Sequence, residues 1–199
     1  MPPYTAKKSF LIRLARIWAR PLWWGVLTSG NEDLVRADVA RWIECIGNDA
    51  LVPLDEYSRF AYLAGALHEF RNVVHFRLRQ SPLPVRIALK KIYRPDRTIL
   101  LESDSIGPGI FLHHGNGIMV SATSIGRNFW VNQHASVGYS PKGRPTIGDD
   151  VMVAAGAVVT GPIVIGDGVT IGANAVVVKD VPPGTVMAAP LAQPLRKRT

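Results

Sequence analysis

Five histidines are the side chains of this sequence that exchange a proton near neutral pH. Two are adjacent, in His113-His114-Gly115-Asn116-Gly117, and a third closes Asn132-Gln133-His134. A histidine so placed is suited to take the proton of a hydroxyl that must attack as a nucleophile. Adjacent residues of a strand point to opposite faces, so only one of the adjacent pair faces a given site directly. His134 reads either as a contact to an acceptor or as a solvent-facing turn residue. Arg144 offers a bidentate fork for an anion, or is a solvated loop charge. His68 and His75 lie seven apart on a predicted helix, with no carboxylate and histidine set to complete a site, so no metal is expected there. The single cysteine, Cys45, has no patterned partner and is a poor nucleophile candidate. It excludes an internal disulfide and fits a reducing, cytoplasmic compartment.

Two kinds of element must position these groups. Residues 31–94 carry helical periodicity. Asn31-Glu32-Asp33-Leu34 offers a cap and an acidic first turn, then Val35, Val39, Trp42 and Ile43 follow at helical spacing. A second helix is predicted from Tyr57 to about Leu78, a third from about Val85 to Tyr93. After Thr98 the period becomes six. Aliphatic residues open hexads at Leu100, Ile106, Leu112 and Ile118, then after a one-residue slip at Ile125, Val131 and Val137. The stretch 139–146 interrupts the pattern, which resumes at Ile147, Val153, Val159, Ile165, Ile171 and Val177. Neither a 3.6 period nor alternation gives this pattern. Hexapeptide repeats stacked as a parallel β-helix do. The helical half should cap one end of the solenoid and the Asp180-Val181-Pro182-Pro183-Gly184 turn the other. The expected organisation is α+β: a basic helical domain over 1–98, a β-helix over 99–187 and a basic tail over 188–199.

With 47% hydrophobic and 19% charged residues, the 199-residue chain is globular rather than disordered. Its net charge of +8 is unevenly held: residues 1–98 have 16 basic and 9 acidic side chains (+7), residues 99–199 have 7 and 6 (+1). No nucleic-acid motif accompanies that field, so nucleic acid is not an expected partner. Residues 1–27 are interrupted by Arg13, Arg16 and Arg20, which share a helical face, so no spanning segment is expected. A basic helix with Trp18, Trp23 and Trp24 reads as packed on its own protein or a neighbouring subunit, or as lying on a membrane surface.

Ile106-Gly-Pro-Gly-Ile-Phe-Leu-His-His-Gly-Asn-Gly-Ile118, Asn132–Gly138, Ile147–Ala157 and Ile171–Pro182 resemble, in order, the coils of the left-handed β-helix acyltransferases and, among them, the serine acetyltransferases. Leu34–Asp38 and Glu69–Val73 resemble helices of their N-terminal domain. The resemblance implies a left-handed β-helix, acetyl-CoA as acyl donor without a metal, and a homotrimer or a dimer of trimers. His114 falls on the family's catalytic histidine and so becomes the general base for direct attack on the thioester. His113, which could orient that base or bind acceptor, stands where the family has aspartate; Arg144 stands in place of its second histidine, and Ile99 in place of an upstream aspartate. A related branch with similar His-Gly segments acetylates sugars of surface polysaccharides or their lipid-linked precursors. Serine and a sugar hydroxyl both stand as acceptors, with a non-catalytic assembly subunit as the remaining alternative. Backbone N–H groups near Gly138 would hold the oxyanion. Coenzyme A would run between subunits along Ala155, Ala173 and Val178, with Lys179 and Arg196-Lys197-Arg198 toward its phosphates.

Overall fold

The computed structural model describes residues 6–193. Five helices, α1 (Ala6–Leu27), α2 (Glu32–Ile46), α3 (Glu56–Ala66), α4 (His68–Arg77) and α5 (Leu83–Ile92), precede fourteen short strands. The single helix expected over 57–78 is two. Leu67 adopts extended backbone (φ −119°, ψ 113°), and Arg71 Nη1 donates to the freed Ala64 carbonyl at 2.9 Å. The expected Asn31 cap is also redirected: its side-chain amide donates to the Arg77 carbonyl at 2.8 Å instead of capping α2.

The strands wind as a parallel β-helix whose coils present three faces. The first face holds β1 (Leu100–Leu101), β4 (Met119–Val120), β7 (Ser136–Gly138), β10 (Val158–Thr160) and β13 (Val176–Val177). The second holds β2 (Ser105–Ile106), β5 (Ser124–Ile125), β8 (Thr146–Ile147) and β11 (Val164–Ile165). The third holds β3 (Phe111–His113), β6 (Trp130–Asn132), β9 (Met152–Val153), β12 (Thr170–Ile171) and β14 (Val186–Met187). Register aligns buried ladders: Ile106–Ile125–Ile147–Ile165 on the second face and Leu112–Val131–Val153–Ile171 on the third. On the first face the ladder is Leu101–Val120–Val137–Val159–Val177. Leu100 and Ile118, expected to open hexads, therefore do not. The turn from β3 to β4 is two residues longer than its equivalents in later coils, which moves the ladder position from Ile118 to Val120. The solenoid also runs past the Pro182-Pro183 turn, since β14 pairs with β12.

The helices close the first coil through one buried ion pair. Arg77 on α4 and Asp38 on α2 are 2% and 1% exposed. Arg77 donates to both Asp38 carboxylate oxygens (2.8 and 3.0 Å) and to the carbonyls of Ile106 and Gly107. Asp38 in turn accepts the Gly109 and Ile110 N–H groups at 2.8 and 3.2 Å. Burial pushes the Asp38 carboxyl up, and Arg77 with the two backbone donors offsets only part of that rise. Trp42 adds an indole bond to the Ile110 carbonyl (2.7 Å) and edge contacts to Phe70 and Phe111. His75, given no metal role above, is buried with Nε2 2.6 Å from the Tyr93 carbonyl oxygen.

Two outcomes are expected in urea titrations. Asp38→Ala leaves Arg77 buried without its counter-charge and should cost about 3–5 kcal/mol. Burial lowers the His75 pKa below its ordinary 6.5, so the unfolded chain binds this proton more readily. The stability His75 contributes is then present above pH 6.5 and declines as pH falls below it; His75→Gln should flatten that part of the stability profile.

Candidate active site

Three corners join the faces of each coil. The corner between the third and first faces carries the histidines. Here Gly117, His134, Gly156 and Asn174 all take left-handed backbone, with φ of 64°, 58°, 69° and 58°. Bonds from His134 N to Asn116 O, Gly156 N to Gln133 O and Asn174 N to Ala155 O stack these turns into a column. Ala155 and Ala173 lie in that column. Exposed His134 is thus a corner residue whose ring covers Gly117: a β-carbon there would meet its Nδ1 at 2.6 Å.

The longer turn of the first coil lifts out His114, which is exposed and itself left-handed (φ 53°). Gly115 behind it is buried against α4. Its N–H donates to Glu69 Oε1 at 3.2 Å, and a β-carbon would fall 2.0 Å from Glu69 Cγ, so only glycine fits. Glu69 Oε2 is buried without a hydrogen bond, with His68 Nδ1 at 3.6 Å, and His68 Nε2 is 3.3 Å from Asp96. The helical layer therefore fixes the height of the histidine turn.

His113 is half-buried among aromatic rings. Its ring centroid lies 3.9 Å from that of His114, 5.4 Å from Trp130 and 5.7 Å from Phe111. Asn132, in register with His113 one coil later, has Oδ1 3.0 Å from Trp130 Nε1 and 2.8 Å from His113 Nδ1. An indole N–H only donates, so the amide atom facing it is the oxygen. That oxygen then requires hydrogen on His113 Nδ1, which leaves the lone pair of the neutral ring on Nε2. Asn132, Trp130 and Glu69 were not singled out from sequence as site residues. The 19-residue spacing of Phe111 to Trp130 and of His113 to Asn132 was the available signal.

The remaining expected residues lie across the first face. Gly138 ends β7, Val178 and Lys179 follow β13 and are exposed, and Arg144 lies in the loop between the first and second faces. Arg144 Nη2 pairs with Asp104 at 2.7 Å. Within one chain, then, His113, His114, His134, Ala155 and Ala173 share one corner, while Gly138, Arg144, Val178 and Lys179 gather toward the other edge of that face. Arg196-Lys197-Arg198 lies outside the described residues. Cys45 lies on α2, and burial pushes its thiol pKa up.

A family profile described as bacterial transferase hexapeptide (six repeats) matches residues 144–179. A serine acetyltransferase of Mycobacterium tuberculosis is 42% identical over 87 residues, covering 41% of this chain and 38% of that protein. The matched stretch thus spans well under half of that relative. The serine acetyltransferase of Neisseria gonorrhoeae, solved in complex with serine, superposes with a TM-score of 0.61 at 25% identity, covering 94% of this chain and 89% of that one. A serine acetyltransferase solved in complex with CoA superposes with a TM-score of 0.63 at 21% identity, covering 89% and 81%. The β-helix is of the left-handed kind.

The tautomer assignment is open to measurement. Nitrogen-15 spectra above the titration range of histidine should show His113 as the Nδ1–H form, and Trp130→Phe, which frees the Asn132 amide to turn over, should mix the two tautomers. An Nε2–H form in the unaltered protein would contradict the assignment.

Proposed function

We propose that this chain, which resembles the serine acetyltransferases over its hexapeptide repeats, transfers acetyl from acetyl-CoA to a hydroxyl, with His114 as general base. The observation that carries this reading is the histidine turn itself: a two-residue expansion of one corner that presents His114 to solvent while Glu69 holds the turn from behind. His114 takes the hydroxyl proton as the oxygen bonds to the thioester carbonyl. Backbone N–H groups near Gly138 stabilise the oxyanion, and on collapse the carbon–sulfur bond breaks and the imidazolium returns its proton to the departing thiolate. His113, its tautomer set by Asn132 and its ring against that of His114, is a positioning residue. No resident metal takes part in this scheme.

The division of site residues between two edges of one face supports a homotrimer. In such a trimer a neighbouring copy would bring the Gly138, Arg144 and Lys179 edge to the histidine corner, and coenzyme A would lie between them along Ala155, Ala173 and Val178. We place the enzyme in the cytoplasm.

Serine is the acceptor that the curated relatives' names favour. One feature of the site favours a sugar hydroxyl instead. The ring beside His114 is that of His113, and next to it stand Asn132 and Trp130, a hydrogen-bonding set with an aromatic face, while Arg144, a cation able to hold a carboxylate, is engaged by Asp104. Release of coenzyme A measured with serine and with a panel of sugars decides between them. His114→Ala should lower the rate about 10²–10⁴-fold with the true acceptor. An unchanged rate in that variant would remove His114 from the chemistry, and binding of neither acetyl-CoA nor acceptor would leave an assembly role.

A further inference from the structure

α1 is apolar on two sides. Ala19, Leu22 and Val26 are fully buried on the side that packs inward, yet Phe10, Leu14, Ile17 and Trp24 are 60, 47, 61 and 59% exposed. Their spacing of four, three and seven residues makes one continuous outward stripe. Exposed Arg13 and Arg20 run along its edge.

α5 lies beside this helix. Its Leu89 packs over Gly25, and the Tyr93 hydroxyl donates to the Trp18 carbonyl at 2.5 Å. It too turns apolar residues outward, with Leu83 62% and Ile87 48% exposed next to exposed Lys90 and Lys91. An open groove of about 780 Å³ lined by Lys90, Lys91, Arg94, Pro95 and Arg97 continues the cationic surface.

The charge is one-sided in sequence as well. Residues 1–31 contain five basic and no acidic side chains, and residues 70–95 contain seven basic and none acidic. Among the described residues no helix is long and apolar enough to cross a membrane. An outward apolar stripe with tryptophan, edged by arginine and lysine, instead matches a helix lying in the plane of a lipid interface. A second copy is a poor occupant, because joining two such faces brings only like charges together.

We propose that the outward face of α1 and α5 docks this protein on a bilayer containing anionic phospholipid. The stripe enters the boundary between headgroups and acyl chains, and Arg13, Arg20, Lys90 and Lys91 meet lipid phosphates. This docking is independent of which acceptor the histidine corner serves.

Flotation of the full chain with vesicles tests it. Binding is expected to vesicles of phosphatidylcholine mixed with phosphatidylglycerol, not to phosphatidylcholine alone, and should be released by high salt. Lys90→Ala with Lys91→Ala should weaken binding about thirtyfold. Ile17→Glu with Trp24→Glu should abolish it; all four positions are solvent-exposed, and circular dichroism checks that the helices persist. Failure of the unaltered chain to float with anionic vesicles overturns the proposal, as does flotation that neither pair of substitutions weakens. Sedimentation equilibrium covers the rival occupant: an assembly mass that Ile17→Glu with Trp24→Glu halves would assign the face to a second copy.

Discussion

The Asp38–Arg77 pair is the contact on which the architecture depends. Two helices supply one charge each, and the pair spends its remaining donors and acceptors on backbone groups of the corner between β2 and β3. An ion pair taken this far out of water holds only while every lone pair and proton is met. The first coil meets four of them. Its backbone is thereby locked to α2 and α4 a few residues before His113, so the helical layer sets both the start of the solenoid and the placement of the histidine turn.

The same layering explains the histidine turn. Later coils pass the corner between the third and first faces in short, repeating turns. The first coil can afford a longer one because α4 lies behind it, with the Glu69 side chain filling the space and taking the Gly115 N–H. A turn of the same length on an inner coil would have no such backing. Position in the stack, and not composition alone, therefore separates His114 from His134. One is carried on an expanded turn. The other serves the left-handed corner position that glycine and asparagine fill in neighbouring coils.

Much of this was legible beforehand. Aliphatic residues at sixfold spacing specify the ladders directly, because the same inward rung position recurs once per hexad, with a second buried residue two places before it. The six hexads from Ile147 to Val177 all fall where expected. Errors arose where tertiary contacts overrode local pattern. The apolar stripe across Leu67 continues without interruption, and only the Arg71 bond to Ala64 and the packing of α4 on the first coil show why the helix breaks. Ile118 looks like a ladder residue, and its displacement depends on a turn length that sequence spacing alone does not reveal. Asp38 and Arg77, 39 residues apart, belong to no local motif. Asn132 was in view, but its bond to His113 follows from the register between coils.

Unequal corners also act as an address system. The ladders of isoleucine and valine are nearly interchangeable from rung to rung, so a strand paired one coil too early would bury much the same surface. The extended histidine turn and the loop at residues 139–145 each occur at one level only, and a misthreaded coil would have to bury or stretch them. Irregularity that costs local repetition thus tells each rung where it belongs.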